Sequence, residues 1–407
     1  MVRTDRTFFI LLVGLLGAIG IIDTAILNPT IAAYAKSLGA TEFFASFIAG
    51  LYAIIAIPAS LAMGLTIDAI GRRRALVVGL GLTAVFVFGY ALAATPTQLM
   101  VFRITHAISG SLVFPASIAM IVDAARQKKV GRSLGLYWVV IASVIFIGSA
   151  LSGTLVPVLG FEPLFIVVAA ISLIGMFIAL TVPETAKRRV MPRASMSVIA
   201  SAIRWLSVAY LSMFSLYFAF GVIVGSLALI IALMGVPLEQ AAGTVGLYIA
   251  LATAVSIPAF PLVARLLERV GTVPTLAGGI GLAAVSQVLL VISLGLPSLI
   301  LSAIFLGGGI ALVFVTSTAV AALPEARGAS IGLHQTANIA GVAVGAPISG
   351  LVLQVWGTLA PFTLAVLVQV ATLGLILTSR KAVQPADQML MSAPREPLPR
   401  GLPRERR

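Results

Sequence analysis

Three ionisable side chains, Asp23, Arg103 and His106, lie within long apolar stretches of the sequence. Charged groups in such surroundings are costly and usually functional. Arg103 and His106 are three residues apart, so they share one face of a helix. Imidazole titrates near neutral pH, and a carboxylate beside it can bind a proton or a cation. These residues indicate a proton-binding or ion-binding site. No arrangement of a nucleophile beside a base indicates catalysis, so we do not expect an enzyme.

The composition excludes an ordinary water-soluble domain. Hydrophobic residues make up 60% of the 407 residues and charged residues 10%, with a mean hydropathy of +1.14. Soluble domains carry about 25% charged residues. The chain has no cysteine and two histidines, so we expect neither a disulfide nor a metal site. The sequence has no phosphate-binding G-x-x-x-x-G-K-[ST] loop, so we expect no cofactor and an ion gradient as the energy source.

The apolar stretches are long enough to be membrane-spanning helices. A helix needs about 20 apolar residues to cross the roughly 30 Å hydrocarbon core. Twelve segments qualify: 8–35, 43–67, 74–94, 97–122, 133–156, 162–183, 205–234, 240–264, 272–293, 297–322, 328–355 and 358–378. The alternation of a transmembrane barrel is absent from the sequence, so helices are the spanning structure that satisfies the backbone. We therefore predict an all-α membrane protein with twelve spans, the first an uncleaved helix rather than a signal peptide.

Basic residues predict the orientation of these spans. Of the 26 lysines and arginines, all but Lys36 and Arg103 fall on the side of the spans that holds both termini. Cytoplasmic loops are enriched in such residues, so both termini are predicted to be cytoplasmic. The formal charge of +13 is then a topology signal that also faces anionic lipid, and we expect no nucleic-acid partner.

Helix geometry brings the ionisable side chains to similar depth. Asp23 lies about 15 residues into the first span, or roughly 22 Å from the cytoplasmic side. Arg103 lies about six residues into the fourth span, or roughly 9 Å from the outer side. In a core of about 30 Å these two depths nearly coincide. Asp23 and Arg103 can therefore form a buried ion pair that only fixes packing, or take part in proton binding.

The two halves of the sequence resemble each other. A shift of 200 residues aligns 57–59 with 257–259, and a shift of 197 aligns 135–136 with 332–333. Six spans repeated in the same orientation predict two pseudo-symmetric six-helix bundles, related by an axis along the membrane normal. The predicted domains are an N-terminal bundle (1–183), a cytoplasmic linker (184–204), a C-terminal bundle (205–379) and a disordered cytoplasmic tail (380–407).

The loop between the second and third spans carries a motif. From Gly64 to Arg74 it reads G-L-T-I-D-A-I-G-R-R-R, which resembles the G-x-x-x-D-x-x-G-R-[RK]-x signature of the major facilitator superfamily. Val182–Thr185 after the sixth span also resembles the family. The resemblance implies a twelve-helix transporter in which this motif, with an acidic residue at the cytoplasmic end of span four, latches the two halves together in one conformation. The predicted gating cluster is Gly64, Asp68, Gly71, Arg72, Arg73, Arg74 and Asp123. Alternatively, its arginines only set the topology.

The resemblance also implies a central cavity lined by spans 1, 4, 7 and 10. Arg103 matches the span-four arginine of the R-x-x-Q-G pattern of drug–proton antiporters, with His106 and Ala107 in place of Gln and Gly. Asp23, Arg103 and His106 are then predicted to face the cavity and to couple transport to protons, although His106 also fits a plain hydrogen-bonding role. The further predicted pathway residues are Asn28, Tyr210, Ser215, Tyr217 and Thr316, some of which fit lipid-facing or interhelical positions equally well. His334, Gln335 and Asn338 fit gating or packing equally.

The leading functional interpretation is proton-coupled efflux of hydrophobic or amphipathic compounds by alternating access. In span five, Gly148–Gly153 is similar to an antiporter motif but lacks its proline and one glycine. The alternative is therefore proton-coupled uptake of a small metabolite such as an organic acid or sugar, with Arg103 holding a substrate carboxylate. A non-transporting receptor on this fold would need a large sensory domain, which the sequence lacks. We expect a monomer in the plasma (inner) membrane of a prokaryote, with a small-molecule substrate, protons and lipid as its partners.

Overall fold

The computed structural model describes residues 6–124, 130–185, 196–323 and 327–379, together with Gln388. Within these ranges the regular structure is helical and contains no strand. The helices are α1 (Arg6–Leu27), α2 (Ile31–Ser37), α3 (Glu42–Ile70), α4 (Arg72–Ala91), α5 (Pro96–Ala124), α6 (Val130–Leu159), α7 (Phe161–Thr181), α8 (Met196–Val222), α9 (Ala228–Leu233), α10 (Leu238–Val270), α11 (Thr272–Ile292), α12 (Leu296–Ala321), α13 (Arg327–Trp356) and α14 (Ala360–Thr378). A π-helical turn, Ile223–Leu227, joins α8 to α9.

The helices confirm the prediction of an all-α membrane protein. Eleven of them in the described ranges are long and apolar enough to cross a membrane, and a twelfth span forms if α1 and α2 are counted together. These two helices bend by 48° at their junction, so the first span is not the continuous helix that was predicted. The junction holds Pro29, which has no N–H with which to extend the hydrogen bonding of α1.

Two other predicted segments, the linker and the tail, can be compared with the structure only in part. The predicted linker 184–204 is partly helical, because α8 begins at Met196. The predicted tail 380–407 lies outside the described residues apart from Gln388. The division into domains at these boundaries stays a prediction.

Helix packing repeats in the two halves of the chain. In α1–α7, which we call the N-terminal half, α4 packs against α5 and α7. In α8–α14, the C-terminal half, α11 packs in the same way against α12 and α14. Successive spans run in opposite directions, so α1 begins at the face of the bundle where α14 ends. We call this the terminal face and the other the distal face. The cytoplasmic location of the terminal face stays a prediction.

The halves meet mainly along two helix pairs, α3 with α13 and α6 with α10. Both pairs are in closest contact near the distal face, through small residues. Gly153 of α6 lies against the backbone of Gly246 of α10, and Ser46 of α3 lies against Gly350 of α13. The Ser46 hydroxyl also donates a hydrogen bond of 2.6 Å to the carbonyl of Gly225, in the π-helical turn. A side chain at Gly153 or Gly246 would collide with the facing backbone, so these glycines permit the close approach.

Candidate functional site

A cavity of about 350 Å³ lies between the two halves. Its walls come from α1, α3, α5 and α6 on one side and from α8, α10, α12 and α13 on the other. Most of the lining side chains are apolar, and the aromatic ones are Tyr52, Phe114, Tyr217, Phe220, Phe260 and Phe314. Among the lining residues that the structure describes, Arg103 is the only one with a formal charge. The cavity therefore presents one fixed positive charge in an otherwise neutral and mainly apolar space.

Directly behind the wall formed by the N-terminal half lies a chain of three hydrogen-bonded side chains. The Nε2 atom of His106 is 2.7 Å from Oδ2 of Asp23, and its Nδ1 atom is 2.8 Å from the hydroxyl of Tyr90. All three side chains are fully buried. Because both ring nitrogens have a partner, the imidazole is fixed in orientation, and a proton taken up by the Asp23–His106 pair stays within one hydrogen-bonded unit.

Three helices position this unit. Asp23 lies on α1, four residues before the helix ends at Leu27, while Tyr90 lies on α4 and His106 on α5. Gly20, one turn before Asp23, packs against Val113 of α5 and has no side chain to separate the two helices. This close approach lets the short Asp23 side chain reach the imidazole.

Arg103 lies one turn from His106 on α5 and reaches the cavity wall. Its Nη2 atom is 3.4 Å from the carbonyl oxygen of Ala49, and its Cζ atom is 5.1 Å from the centre of the Tyr52 ring. That distance is within the range of a cation–π contact. Its Nε and Nη1 atoms are buried and form no hydrogen bond of ordinary length with the described residues, and the Tyr90 hydroxyl lies close enough to interact with the guanidinium. Arg103 is therefore a buried cation whose donors are only partly satisfied.

The structure brings the three predicted ionisable residues close together, but Asp23 pairs with His106 and not with Arg103. The alternative of an ion pair between Asp23 and Arg103 is not observed, because the Asp23 carboxylate is held by His106. Nor do all three face the cavity as predicted, since Arg103 lines it while Asp23 and His106 lie behind its wall. The proton-coupling role of the three residues stays a prediction.

The other predicted pathway residues fall into two groups. Asn28, at the break between α1 and α2, and Tyr217 of α8 line the cavity. The remaining three do not line it, which corrects their placement. The Tyr210 hydroxyl donates a hydrogen bond of 3.2 Å to the Ser330 carbonyl of α13 and lies 2.9 Å from the Ser330 hydroxyl, so it serves as an interhelical contact. Ser215 and Thr316 are fully buried within the C-terminal half. All three are on the predicted helices but are turned away from the cavity.

The polar residues of α13 also fall into two groups, those that line the cavity and one that does not. Gln335 and Asn338 line the cavity, opposite the wall that carries Arg103. His334 points away and is 2.8 Å from the hydroxyl of Ser317 on α12, in a buried contact between helices. The position of His334 agrees with the packing alternative.

The predicted gating cluster forms a network at the terminal face. Arg72 lies 3.0 Å from Asp68 and 3.4 Å from Asp123. Glu184 accepts hydrogen bonds of 3.1 Å from the backbone N–H groups of both Arg72 and Arg73. The Arg73 side chain also donates to the carbonyl of Leu180. These contacts join α3, α4, α5, α7 and the residues directly after α7, so none of the contacts described for the cluster joins the two halves in this conformation.

The two glycines and the last arginine of the motif have different surroundings. Gly71 adopts a φ of +96°, in the left-handed region that favours glycine, between α3 and α4. Gly64 has no neighbouring atom within 4 Å of a side chain placed there, so it makes no close helix contact in this conformation. Arg74 is exposed. The latch role of the cluster stays a prediction for another conformation.

Three contributors to the site were not predicted from the sequence. Tyr52 and Tyr90 surround the imidazole, with ring centres 5.1 and 5.7 Å from that of His106, and Glu184 completes the gating cluster. Tyrosine within an apolar span carries a hydroxyl that must find a partner, which is the signal that could have identified the first two. Glu184 was noted in the sequence only as part of a short family resemblance.

The chain is similar to membrane transporters of known structure. Residues 13–322 and, in a second match, residues 209–402 match the Major Facilitator Superfamily. The fold is similar to that of a bacterial homologue of the human lysosomal transporter Spinster in an inward-facing, unoccupied conformation, with a TM-score of 0.70 and 13% identity over 98% of this chain and 100% of that one. It is also similar to the nucleoside transporter NupG, with a TM-score of 0.76 and 12% identity over 91% of this chain and 100% of that one. At these identities the likeness concerns the fold alone.

Two of the relatives by sequence are bacterial resistance proteins. The chain is 25% identical to the methylenomycin A resistance protein of Streptomyces coelicolor over 38% of this chain and 33% of that protein. It is 25% identical to multidrug resistance protein 1 of Bacillus subtilis over 45% of this chain and 47% of that protein. The chain thus aligns with less than half the length of these two relatives. Because the family match covers most of the chain, and the apolar helices agree with it, the chain belongs to the Major Facilitator Superfamily and is an integral membrane transporter.

Proposed function

We propose that this transporter exports hydrophobic or amphipathic small molecules in exchange for protons, by alternating access across the plasma (inner) membrane of a prokaryote. The observation that carries the proposal is the buried Asp23–His106 pair directly behind the wall of the central cavity. Ionisable groups buried in this way within membrane spans are commonly proton-relay groups. The mainly apolar lining of the cavity supports an apolar or amphipathic substrate.

The Asp23–His106 pair has two charge states suited to coupling. With the imidazole neutral and the carboxylate ionised, the pair carries one negative charge, and uptake of one proton makes it neutral overall. A change of net charge in a buried place alters the free energies of the two conformations of the transporter unequally. Rocking of the halves about the cavity would expose the pair to alternate sides of the membrane. A proton bound on one side is then released on the other.

Export, rather than uptake, is supported by the relatives. The printed names of two of them refer to resistance, one to methylenomycin A and one to multiple drugs. Resistance by a membrane transporter is most simply achieved by removing the compound from the cell. The alignments cover under half of each relative, so this support concerns the direction of transport and not the identity of the substrate.

A second candidate function, proton-coupled uptake of a small organic acid, is favoured by one specific observation. The Nε and Nη1 atoms of Arg103 form no hydrogen bond of ordinary length with the described residues beside the cavity, and a guanidinium binds carboxylates well. An anion at Arg103 and a proton on the neighbouring pair would attract each other, so each would favour binding of the other. Such mutual attraction suits movement of both in the same direction.

Proton movement in proteoliposomes of known protein orientation tests the proposal. A panel of neutral drugs, lipophilic cations, sugars and organic acids is added, and internal pH is followed with a trapped dye. We expect proton flux opposite to an amphipathic substrate, and its loss in Asp23→Asn and His106→Gln. Removing one partner of a buried pair costs about 3–5 kcal/mol, so substrate binding by each variant is measured to show that it is folded. Glu162→Gln, which changes an exposed carboxylate on α7, is the matched control.

The outcomes separate the candidates. Proton flux parallel to an organic acid would replace export by the second candidate. Coupled flux that persists undiminished in folded Asp23→Asn and His106→Gln would show that the proton is carried elsewhere.

A further inference from the structure

We propose that the cavity selects substrates by a hydrogen-bond-accepting oxygen group without positive charge, a carbonyl or a carboxylate, which docks on Arg103, and that it excludes amines. This inference rests on the proposed function in taking the central cavity as the substrate site. It goes further in assigning the polar group of the substrate and the residue that recognises it.

The donors of Arg103 require an acceptor. The side chain is 1% exposed, so water does not solvate it freely, and its Nε and Nη1 atoms form no hydrogen bond of ordinary length with the described residues. A guanidinium has five N–H donors and does not lose its charge at any ordinary pH. Leaving buried donors of a charged group unsatisfied is costly. A substrate oxygen at Nε or Nη1 would remove that cost, so docking there is favoured over a purely apolar contact.

The charge balance of the cavity disfavours a cationic substrate. The acidic residue that lies near Arg103, Asp23, is occupied by His106 behind the wall. The polar residues that line the cavity from the C-terminal half are Tyr217, Thr253, Ser256, Gln335 and Asn338, which are uncharged. No acidic side chain on the described walls is therefore available to pair with a cationic substrate. An ammonium group docked at Arg103 would face the guanidinium without a carboxylate partner, whereas a neutral carbonyl or an anion would accept hydrogen bonds from it.

Tyr52 restricts where the docking group can bind. Its ring lies against the guanidinium of Arg103, and its hydroxyl packs against Gly110, where a side chain would displace it. The tyrosine thus covers part of the guanidinium and holds it in place. With one face of the guanidinium against the ring, the N–H donors lie in its plane, which favours an in-plane oxygen acceptor over a second aromatic group.

Binding of three matched probes tests this selection. 1-Naphthylacetate, 1-naphthylacetamide and protonated 1-naphthylethylamine share an aromatic body and differ in the polar group. Equilibrium dialysis against the full-length protein in lipid nanodiscs, with empty nanodiscs subtracted, gives the three affinities. Because hydrogen bonds to charged groups are the strong ones, we expect the acetate and the acetamide to bind about tenfold or more tightly than the amine.

Variants of Arg103 assign the selection to this residue. In Arg103→Met the preference over the amine should disappear, while in Arg103→Lys the acetate should keep its advantage and the acetamide should lose most of it. Equal or tighter binding of the amine to the unaltered protein would overturn the inference, as would an unchanged ranking in Arg103→Met. Thermal unfolding of both variants in nanodiscs shows that they are folded.

The ranking is independent of proton coupling. Asp23→Asn should abolish coupled proton movement and leave the order of the three probes unchanged. If the ranking holds and the unaltered protein moves no protons, the proposed function fails and the selection stands. If protons move but the amine binds best, the selection fails and the proposed function stands. Binding of 1-naphthylacetate also tests the direction of coupling. If the protein takes up a proton when the acetate binds, proton and anion favour each other's binding, as the second candidate function requires.

Discussion

Asp23, His106 and Tyr90 form a hydrogen-bonded unit that can hold a charge in an apolar interior. Each ring nitrogen of His106 has a partner, and the partners differ in kind, one a carboxylate and one a phenol. The phenol can donate to a neutral imidazole or accept from a protonated one. Tyr90 is therefore placed to hydrogen-bond to the ring in either state.

We predict that Tyr90→Phe weakens proton coupling without removing it. Loss of one buried hydrogen bond should lower the free energy of unfolding by about 1 kcal/mol. Because the Nδ1 atom of His106 loses its partner, the ring is held less firmly at Asp23, and the rate of proton-driven transport should fall several-fold. The measurement is the transport rate in proteoliposomes at a fixed proton gradient.

Tyr34→Phe is the matched control for this prediction. The Tyr34 hydroxyl donates a 2.9 Å hydrogen bond to the backbone carbonyl of Tyr90 and does not reach the imidazole. It should lower stability by a similar amount and leave the rate of proton-driven transport unchanged. A rate that falls equally in both variants would mean that Tyr90 acts only through packing.

Among the helices, the start of α4 shows how the region of the Gly64–Arg74 motif is built from two distant segments of the sequence. Gly71 turns the chain between α3 and α4, and the glycine cannot cap the new helix with a side chain. Glu184, which follows α7, supplies the cap instead by accepting from the first two backbone N–H groups of α4. A carboxylate at a helix N-terminus also interacts favourably with the helix dipole. α7 and α4 are thereby tied together at the terminal face.

We predict that Glu184→Ala destabilises the protein by about 1 kcal/mol, the usual cost of losing an N-terminal cap. The reason is that two N–H groups of α4 lose their acceptor. Thermal unfolding in detergent measures the effect, and Glu162→Ala, at an exposed site in the first turn of α7, is the control. Equal melting temperatures for the two variants would contradict the capping role.

For the whole molecule, the two halves are in closest contact near the distal face and surround a cavity between them. The distal contact depends on glycines that bring backbones together, as at Gly153 and Gly246. The contacts described for the arginine network at the terminal face join elements of the N-terminal half. Alternating access requires the distal contact to open and the terminal side to close. The balance between the two states should therefore respond to bulk placed at the distal contact.

We predict that Gly246→Leu shifts the protein towards the state that is open at the distal face. A leucine there would collide with the backbone of Gly153 and Ser149, so the closed distal contact would lose stability. The chain has no cysteine, so a single Ser60→Cys reporter in the cavity can be labelled with an impermeant maleimide. Its labelling from the terminal side should slow several-fold in the Gly246→Leu background.

Gly281→Leu provides the control, because no atom lies within 4 Å of a side chain placed at Gly281 of α11. It should leave the labelling rate unchanged. Unchanged labelling in folded Gly246→Leu as well would show that the distal contact does not set the conformational balance.

The membrane spans could be predicted from hydropathy, because a bilayer demands about 20 apolar residues per helix and leaves few other solutions. The same demand makes each charged residue within a span easy to recognise. Asp23, Arg103 and His106 could therefore be identified from the sequence, and their similar depth in the membrane could be calculated from the helical rise per residue. The depth of a residue does not specify how its helix is rotated about its own axis. The pairing of Asp23 with His106 rather than Arg103, and the orientation of Ser215 and Thr316 away from the cavity, depend on that rotation, which is set by side-chain packing between helices far apart in sequence.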